Sequence, residues 1–170
     1  AQHALAFATR HHLPFIADFA EILTSPPDVV LLMGHPLTVP VRARAVIEAG
    51  IPLILEKPAA SSTAALAALS ELARQHQAFV SVPLPNRFGP AATAFERLRC
   101  QGRAGAVAHC QFRLVNGPPQ RYAADGVAWM VDPAIGGGGA LRNLGIHGVD
   151  AALGLATDAL RLKSVSIENR

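Results

Sequence analysis

Three short apolar runs, each followed by a segment with helical spacing, constrain the fold of this chain more than any other feature. Asp28 to Met33 (DVVLLM) lies between Pro26-Pro27 and Gly34-His35-Pro36, and a nearly continuous apolar run of that length reads as a strand buried on both faces. Val39 to Ala49 then carries apolar residues at helical steps and stops at Gly50, a residue type that favours the position just past a helix end. Ile51 to Leu55 is the second run. Ser61 and Ser62 follow as helix N-caps, with Leu66, Leu69, Leu72 and Ala73 at three- and four-residue steps before the polar Gln75 to Gln77. A third run, Ala78 to Leu84, precedes a helix expected over about Ala91 to Arg99. Strand and helix alternating in this way predict an α/β fold: a parallel sheet joined by right-handed helical crossovers.

Composition narrows the functional classes. Apolar types make up 51% of the chain and charged types 16%, enough for a core and too little polarity for disorder. The longest charge-free stretches, Val29 to Val41 and Pro58 to Ser70, fall short of the ~18 residues of a spanning helix, so no membrane partner is expected. The start, AQHALAFATRHHLPF, shows no charged, apolar and small-residue succession of a secretory signal, and a cytoplasmic setting is the default expectation. The formal charge is +3, and its fifteen basic residues are arginines scattered along the chain, apart from Lys57 and Lys163. Without a basic run or aromatic stripe, nucleic acid is not an expected partner. Cys100 and Cys110 form no CxxC pair, and no third ligand accompanies His147 and Asp150, so no metal is expected.

Ligands of parallel sheets sit beyond the carboxyl ends of the strands, which directs Gly34-His35-Pro36, Glu56-Lys57-Pro58 and Asn86-Arg87 toward one crevice. A lysine at the mouth of a sheet serves as a proton donor or substrate anchor; the alternative is a solvated lysine in a connecting loop. After Gly102 the pattern changes, which sets a domain boundary near residue 101: residues 1–101 form one domain and 102–170 a second. Val107 to Val115 alternates as a longer strand, a Pro- and Gly-rich stretch follows, a helix opens at Gly136 to Gly139, and a last strand is expected near Leu162 to Ile167. A helix from about Ala140 would place Asn143, His147 and Asp150 on one stripe, four and three residues apart. The competing structural account is a core histidine bonded to Asp150. No GxGxxG turn occurs in the chain, and Gly136 to Gly139 do not follow a strand, so they are not read as a phosphate loop.

Glu48-Ala49-Gly50 followed by Ile-Pro-Leu-Ile-Leu-Glu56-Lys57-Pro58-Ala59-Ala60 resembles the "EAGK.V..EKPLA" signature of the Gfo/Idh/MocA oxidoreductases, the glucose-fructose oxidoreductase and inositol dehydrogenase family. Asn86-Arg87-Phe88-Gly89-Pro90 resembles its Arg-Phe-x-Pro segment, and GGGALRNLGIHGVDAALGL resembles its "GGG.L.DLG.H..D" helix. The resemblance implies a Rossmann-type parallel sheet, whose first strand and glycine turn this chain does not contain, followed by part of an α+β domain with an open sheet. It implies NAD or NADP as cofactor and a small hydroxylated substrate, a sugar or polyol. Assembly of identical chains through the second-domain sheet is expected with it. Lys57 then belongs beside the nicotinamide and a substrate hydroxyl, across a Lys57-Pro58 bond that is often cis in the family. Gly34, His35, Glu56, Pro58 and Arg87 belong to the cofactor side, and His147 with Asn143 to the pair that binds and deprotonates the alcohol. Asn143 stands where the family pattern has Asp, and Gly34-His35 where it has Thr-Pro. The alternative reading is a non-catalytic relative that binds cofactor or sugar as a sensor or partner module, with Asn143 as the supporting residue.

Overall fold

The computed structural model describes residues 2–115, 117–137, 139, 141–156 and 159–166. The chain divides into two compact units, Ala1–Pro83 and Leu84–Arg170. The sequence reading sets the division later, near residue 101, because helical periodicity does not reveal which neighbour a helix packs on.

In the first unit, α1 (Gln2–Arg10) and α2 (Phe19–Thr24) precede β1 (Val30–Leu32), α3 (Val39–Glu48), β2 (Leu53–Leu55), α4 (Thr63–Gln75) and β3 (Val80–Ser81). Thr38 precedes α3, and Pro40 falls in the first turn, where its missing N–H removes no helical bond. Gly50 leaves the helix at φ +70; its N–H donates to Ile47 O at 2.9 Å and the Ile51 N–H to Val46 O at 3.1 Å, the paired closure of a Schellman motif. Ser62 caps α4 by accepting from the Ala65 N–H at 3.2 Å. The far end of α4 closes as α3 does, with Ala78 N donating to Ala73 O and Gln77 N to Arg74 O, but a glutamine at φ +51 occupies the left-handed position. Each closure turns the chain straight into the next strand.

The strands form a parallel sheet in the order β1-β2-β3, with Val30 opposite Leu53, Leu32 opposite Leu55, and Leu53 opposite Val80. Val39, Ala43, Val46 and Ile47 of α3 and Leu69 and Leu72 of α4 pack with Leu32, Leu53 and Leu55 into one core, in which Val46, Ile47 and Leu53 are fully buried. The opposite face differs from the expectation of strands buried on both sides: Leu31 is 55% exposed and Met33 62%. Strands added in one direction by crossovers of one hand carry their helices on one face, so alternate apolar residues of β1 point away from that layer. The scattered arginines find local partners: Arg44 pairs with Glu48, Arg74 with Glu71 and Arg99 with Glu96 along their helices. The hydrogen bond from Arg74 lowers the pKa of Glu71, and that from Arg99 lowers that of Glu96.

The second unit holds a 3-10 turn (Pro85–Phe88), α5 (Pro90–Cys100), α6 (Gln120–Ala124), a 3-10 turn (Ala128–Val131), α7 (Pro133–Gly136), a π-helical turn (Leu141–Gly145) and α8 (Ile146–Leu155). The strand expected over Val107 to Val115 is not formed; the segment is irregular among the described residues. Its alternation serves a different contact. Phe112 and Leu114 lie over α8 so closely that a Cβ on Gly148 would sit 3.2 Å from Leu114 Cδ1 and 3.4 Å from Phe112 Cβ. A lone segment gains no ladder bonds, and the contact with α8 covers Phe112 and Leu114 only in part, leaving them 43% and 39% exposed. Residues 162–166 of the other expected strand are also irregular, and Ile167 lies outside the described residues, as do Gly138 and Ala140 of the glycine-opened helix.

Gly136 is demanded by backbone approach: a Cβ there would lie 2.5 Å from Met130 O and 3.2 Å from Trp129 O. Neither carbonyl can swing aside as a side chain would. Gly136→Ala is expected to cost ~1–3 kcal/mol by overpacking, read as a lower midpoint in denaturant melts. An unchanged midpoint would show that the 128–131 turn has room to move.

Candidate functional site

In the first unit the ends of β1 and β2 lie side by side. The Glu56 N–H donates to Leu32 O at 3.0 Å, extending the ladder one residue past the paired strands, so the loops Gly34-His35-Pro36 and Glu56-Lys57-Pro58 leave the same edge of the sheet. His35 folds its loop into α3: its carbonyl accepts from Val39 N at 3.1 Å and from Thr38 Oγ1 at 3.0 Å, and its Nδ1 accepts from Leu37 N at 3.3 Å. Glu56, Lys57 and Pro58 are half-buried, and the Lys57-Pro58 peptide is cis. The two loops bring a carboxylate, an ammonium and an imidazole, those of Glu56, Lys57 and His35, to this edge of the sheet. A Cβ on Gly34 would meet only Val39 Cγ2, at 3.6 Å, so the protein's own packing does not require glycine there.

In the second unit the sequence-predicted helix is two structures. A π turn carries Asn143, and α8 carries His147 and Asp150. The wider π turn alters the angular step between Asn143 and His147, so the even stripe expected for one continuous α-helix is not what forms. Asn143 Nδ2 donates to Tyr122 Oη at 3.3 Å and lies 3.8 Å from Met130 Sδ. His147 is half-buried, and its Nδ1 is buried without a hydrogen-bond partner among the described residues. The expected alternative of a histidine satisfied by Asp150 is therefore not realised.

Asp150 instead receives Arg87. Nε donates to Oδ2 at 2.7 Å and Nη2 to Oδ1 at 2.5 Å, a two-pronged pair across 63 residues of chain. The carboxylate side chain is 7% exposed and the guanidinium side chain 47%. The hydrogen bonds that Arg87 donates to Asp150, with the charge of that carboxylate, raise the pKa of Arg87. Arg87 was expected on the cofactor side, and the structure commits two of its nitrogens to Asp150. Sequence reasoning missed Tyr122 and Met130 altogether: they stand in short turns without periodicity, and only the folded chain brings them to Asn143.

A separate cleft of about 770 Å³ in the second unit is lined by Arg87, Phe88, Phe95, His109, Phe112 and Leu155 among others, and its lining includes neither Asn143 nor His147. Among the described residues no group of three or more His, Cys, Asp or Glu is placed to hold a metal, and no helix is long and apolar enough to cross a membrane. Cys100 and Cys110 are both free and exposed.

Two family models match the chain in succession. Residues 1–84 match the oxidoreductase family with an NAD-binding Rossmann fold, and residues 93–168 the GFO/IDH/MocA C-terminal domain. Dehydrogenase aclE of Aspergillus oryzae is 35% identical over 111 residues, covering 62% of this chain and 30% of that protein. The crystal structure of an inositol dehydrogenase homolog complexed with NAD+ from Azotobacter vinelandii superposes with a TM-score of 0.72 at 19% identity, covering 89% of this chain and 42% of that one. An NAD binding oxidoreductase from Klebsiella pneumoniae gives 0.70 at 23% identity, covering 91% and 41%. These two structural likenesses speak to the fold, and the chain spans less than half the length of each of these relatives. With both domain models matched in order along nearly its whole length, the chain belongs to the Gfo/Idh/MocA family of NAD-binding oxidoreductases.

Proposed function

We propose that this chain serves hydride transfer between NAD or NADP and a small hydroxylated compound, a sugar or polyol. The observation that supports this most is the shared edge of β1 and β2, where the Gly34-His35-Pro36 and Glu56-Lys57-Pro58 loops emerge together. When bound, the nicotinamide supplies the hydride acceptor; the protein's part is to bind, orient and manage charge and proton. Gly34, His35, Glu56 and Pro58 shape the cofactor side. Lys57 contributes a cation that stabilises the alkoxide developing on the substrate oxygen.

In the second unit His147 is the proton acceptor, because histidine is the side chain whose ordinary pKa lies near neutrality and the alcohol must lose its proton as hydride departs. Its buried Nδ1 leaves the other ring nitrogen as the one to receive that proton. Asn143 keeps the hydrogen-bonding shape of a carboxylate without its charge, and Tyr122 holds it through the amide nitrogen. Protein carrying this sequence, supplied with NAD+ or NADP+ and a panel of sugars and polyols, is expected to reduce the nucleotide, read as reduced-nicotinamide absorbance. Binding of nucleotide or sugar with no turnover anywhere on the panel would replace this reading with the non-catalytic one.

A further inference from the structure

We propose that Arg87 is a positioning residue for His147, acting through Asp150; the inference rests on the reading of His147 as the base. Both carboxylate oxygens of Asp150 are taken by the guanidinium fork, at 2.7 and 2.5 Å. The Arg87 stem runs along α8 toward that carboxylate: a Cβ on Gly154, one turn past Asp150, would lie 3.9 Å from Arg87 Cγ. The pair thus ties the Pro85–Phe88 turn to the helix that carries His147.

Its second effect is to withhold a carboxylate. Asp150 is buried, with 5% of its surface exposed, and a buried carboxylate that loses its partner is strongly driven to find another donor. His147 stands three residues earlier on the same helix, at a spacing that lets side chains meet, and its buried Nδ1 has no partner among the described residues. The other charged group on the adjoining turn is Arg142. Without Arg87, Asp150 would capture the Nδ1–H of His147, turn the ring and hold a carboxylate behind it. With Arg87 in place, the ring keeps the orientation seen here and the carboxylate is spent elsewhere.

The test compares Arg87→Gln, Arg87→Lys, Asp150→Asn and the double variant Arg87→Gln/Asp150→Asn. Nitrogen-15 spectra of the imidazoles, with His147 assigned by its loss in His147→Asn, are recorded on protein without nucleotide or substrate. Arg87→Gln should show a new Nδ1–H hydrogen bond at His147, and the double variant should not. In turnover, Arg87→Gln should lower kcat about tenfold while the KM for nucleotide stays within about twofold, and the double variant should recover most of the loss, since coupled neighbours depart from additivity on this scale. Arg87→Lys, which keeps the charge and loses the fork, should fall between. A raised nucleotide KM in Arg87→Gln with no rescue by Asp150→Asn would assign Arg87 to the cofactor and overturn the proposal. If Arg87→Gln does not fold, the spectra of Arg87→Lys decide: a His147 signal unchanged from the parent overturns the proposal. The spectra need no activity, so a protein that turns nothing over but shows the Nδ1 shift overturns the base reading and leaves the clamp standing.

Discussion

Lys57→Met in protein that turns over a polyol is expected to lower kcat/KM by at least about a hundredfold, roughly 2.7 kcal/mol of transition-state stabilisation. The expectation rests on position. Lys57 directly follows β2 and Glu56, on the strand edge shared with β1, and is half-buried there. On the proposed reading a cation at that edge would meet charge that exists only while the hydroxyl proton is leaving, so its removal should fall on kcat more than on nucleotide affinity. Methionine keeps the length and apolar stem while removing the charge. Near-normal steady-state turnover would make Lys57 a solvated loop residue.

The second large effect is on stability. Leu53→Ala should cost ~2–5 kcal/mol, because it empties a fully buried position on the middle strand of the sheet, facing α3 and α4. Leu31→Ala, one strand over and on the uncovered face at 55% exposure, should stay within about 0.5 kcal/mol. Chemical denaturation of the two variants measures the difference. Equal losses would mean that the Leu31 face is covered as fully as the other, and that the one-sided core described above is mistaken.

The first unit was legible in the sequence to a large degree. DVVLLM, Ile51 to Leu55 and Ala78 to Leu84 announced β1, β2 and β3, somewhat longer than they form; Ser62 and Gly50 marked a helix start and a helix end where the caps lie. The shared edge from which the Gly34-His35-Pro36 and Glu56-Lys57-Pro58 loops leave followed from the same alternation, since parallel strands joined by helices bring their carboxyl ends together. Gln77 was invisible as a helix terminator, because its left-handed φ is imposed by the closure bonds to Ala73 and Arg74 and not by its residue type.

What the sequence by itself determined is local: the period of each segment, the caps at its ends and the order of strand and helix, all set by interactions within a few residues. Tertiary structure decided what depends on distant competition. It placed both crossover helices on one face of the sheet, so Leu31 stays exposed. It turned the alternating Val107 to Val115 segment onto α8 instead of into a ladder, and made the first turn of the Asn143 helix a π turn. It gave Asp150 to Arg87, 63 residues away, in preference to His147, three residues away. A bidentate guanidinium satisfies both oxygens of a buried carboxylate at once, which a single imidazole N–H cannot do, and no local pattern records that such a partner will arrive.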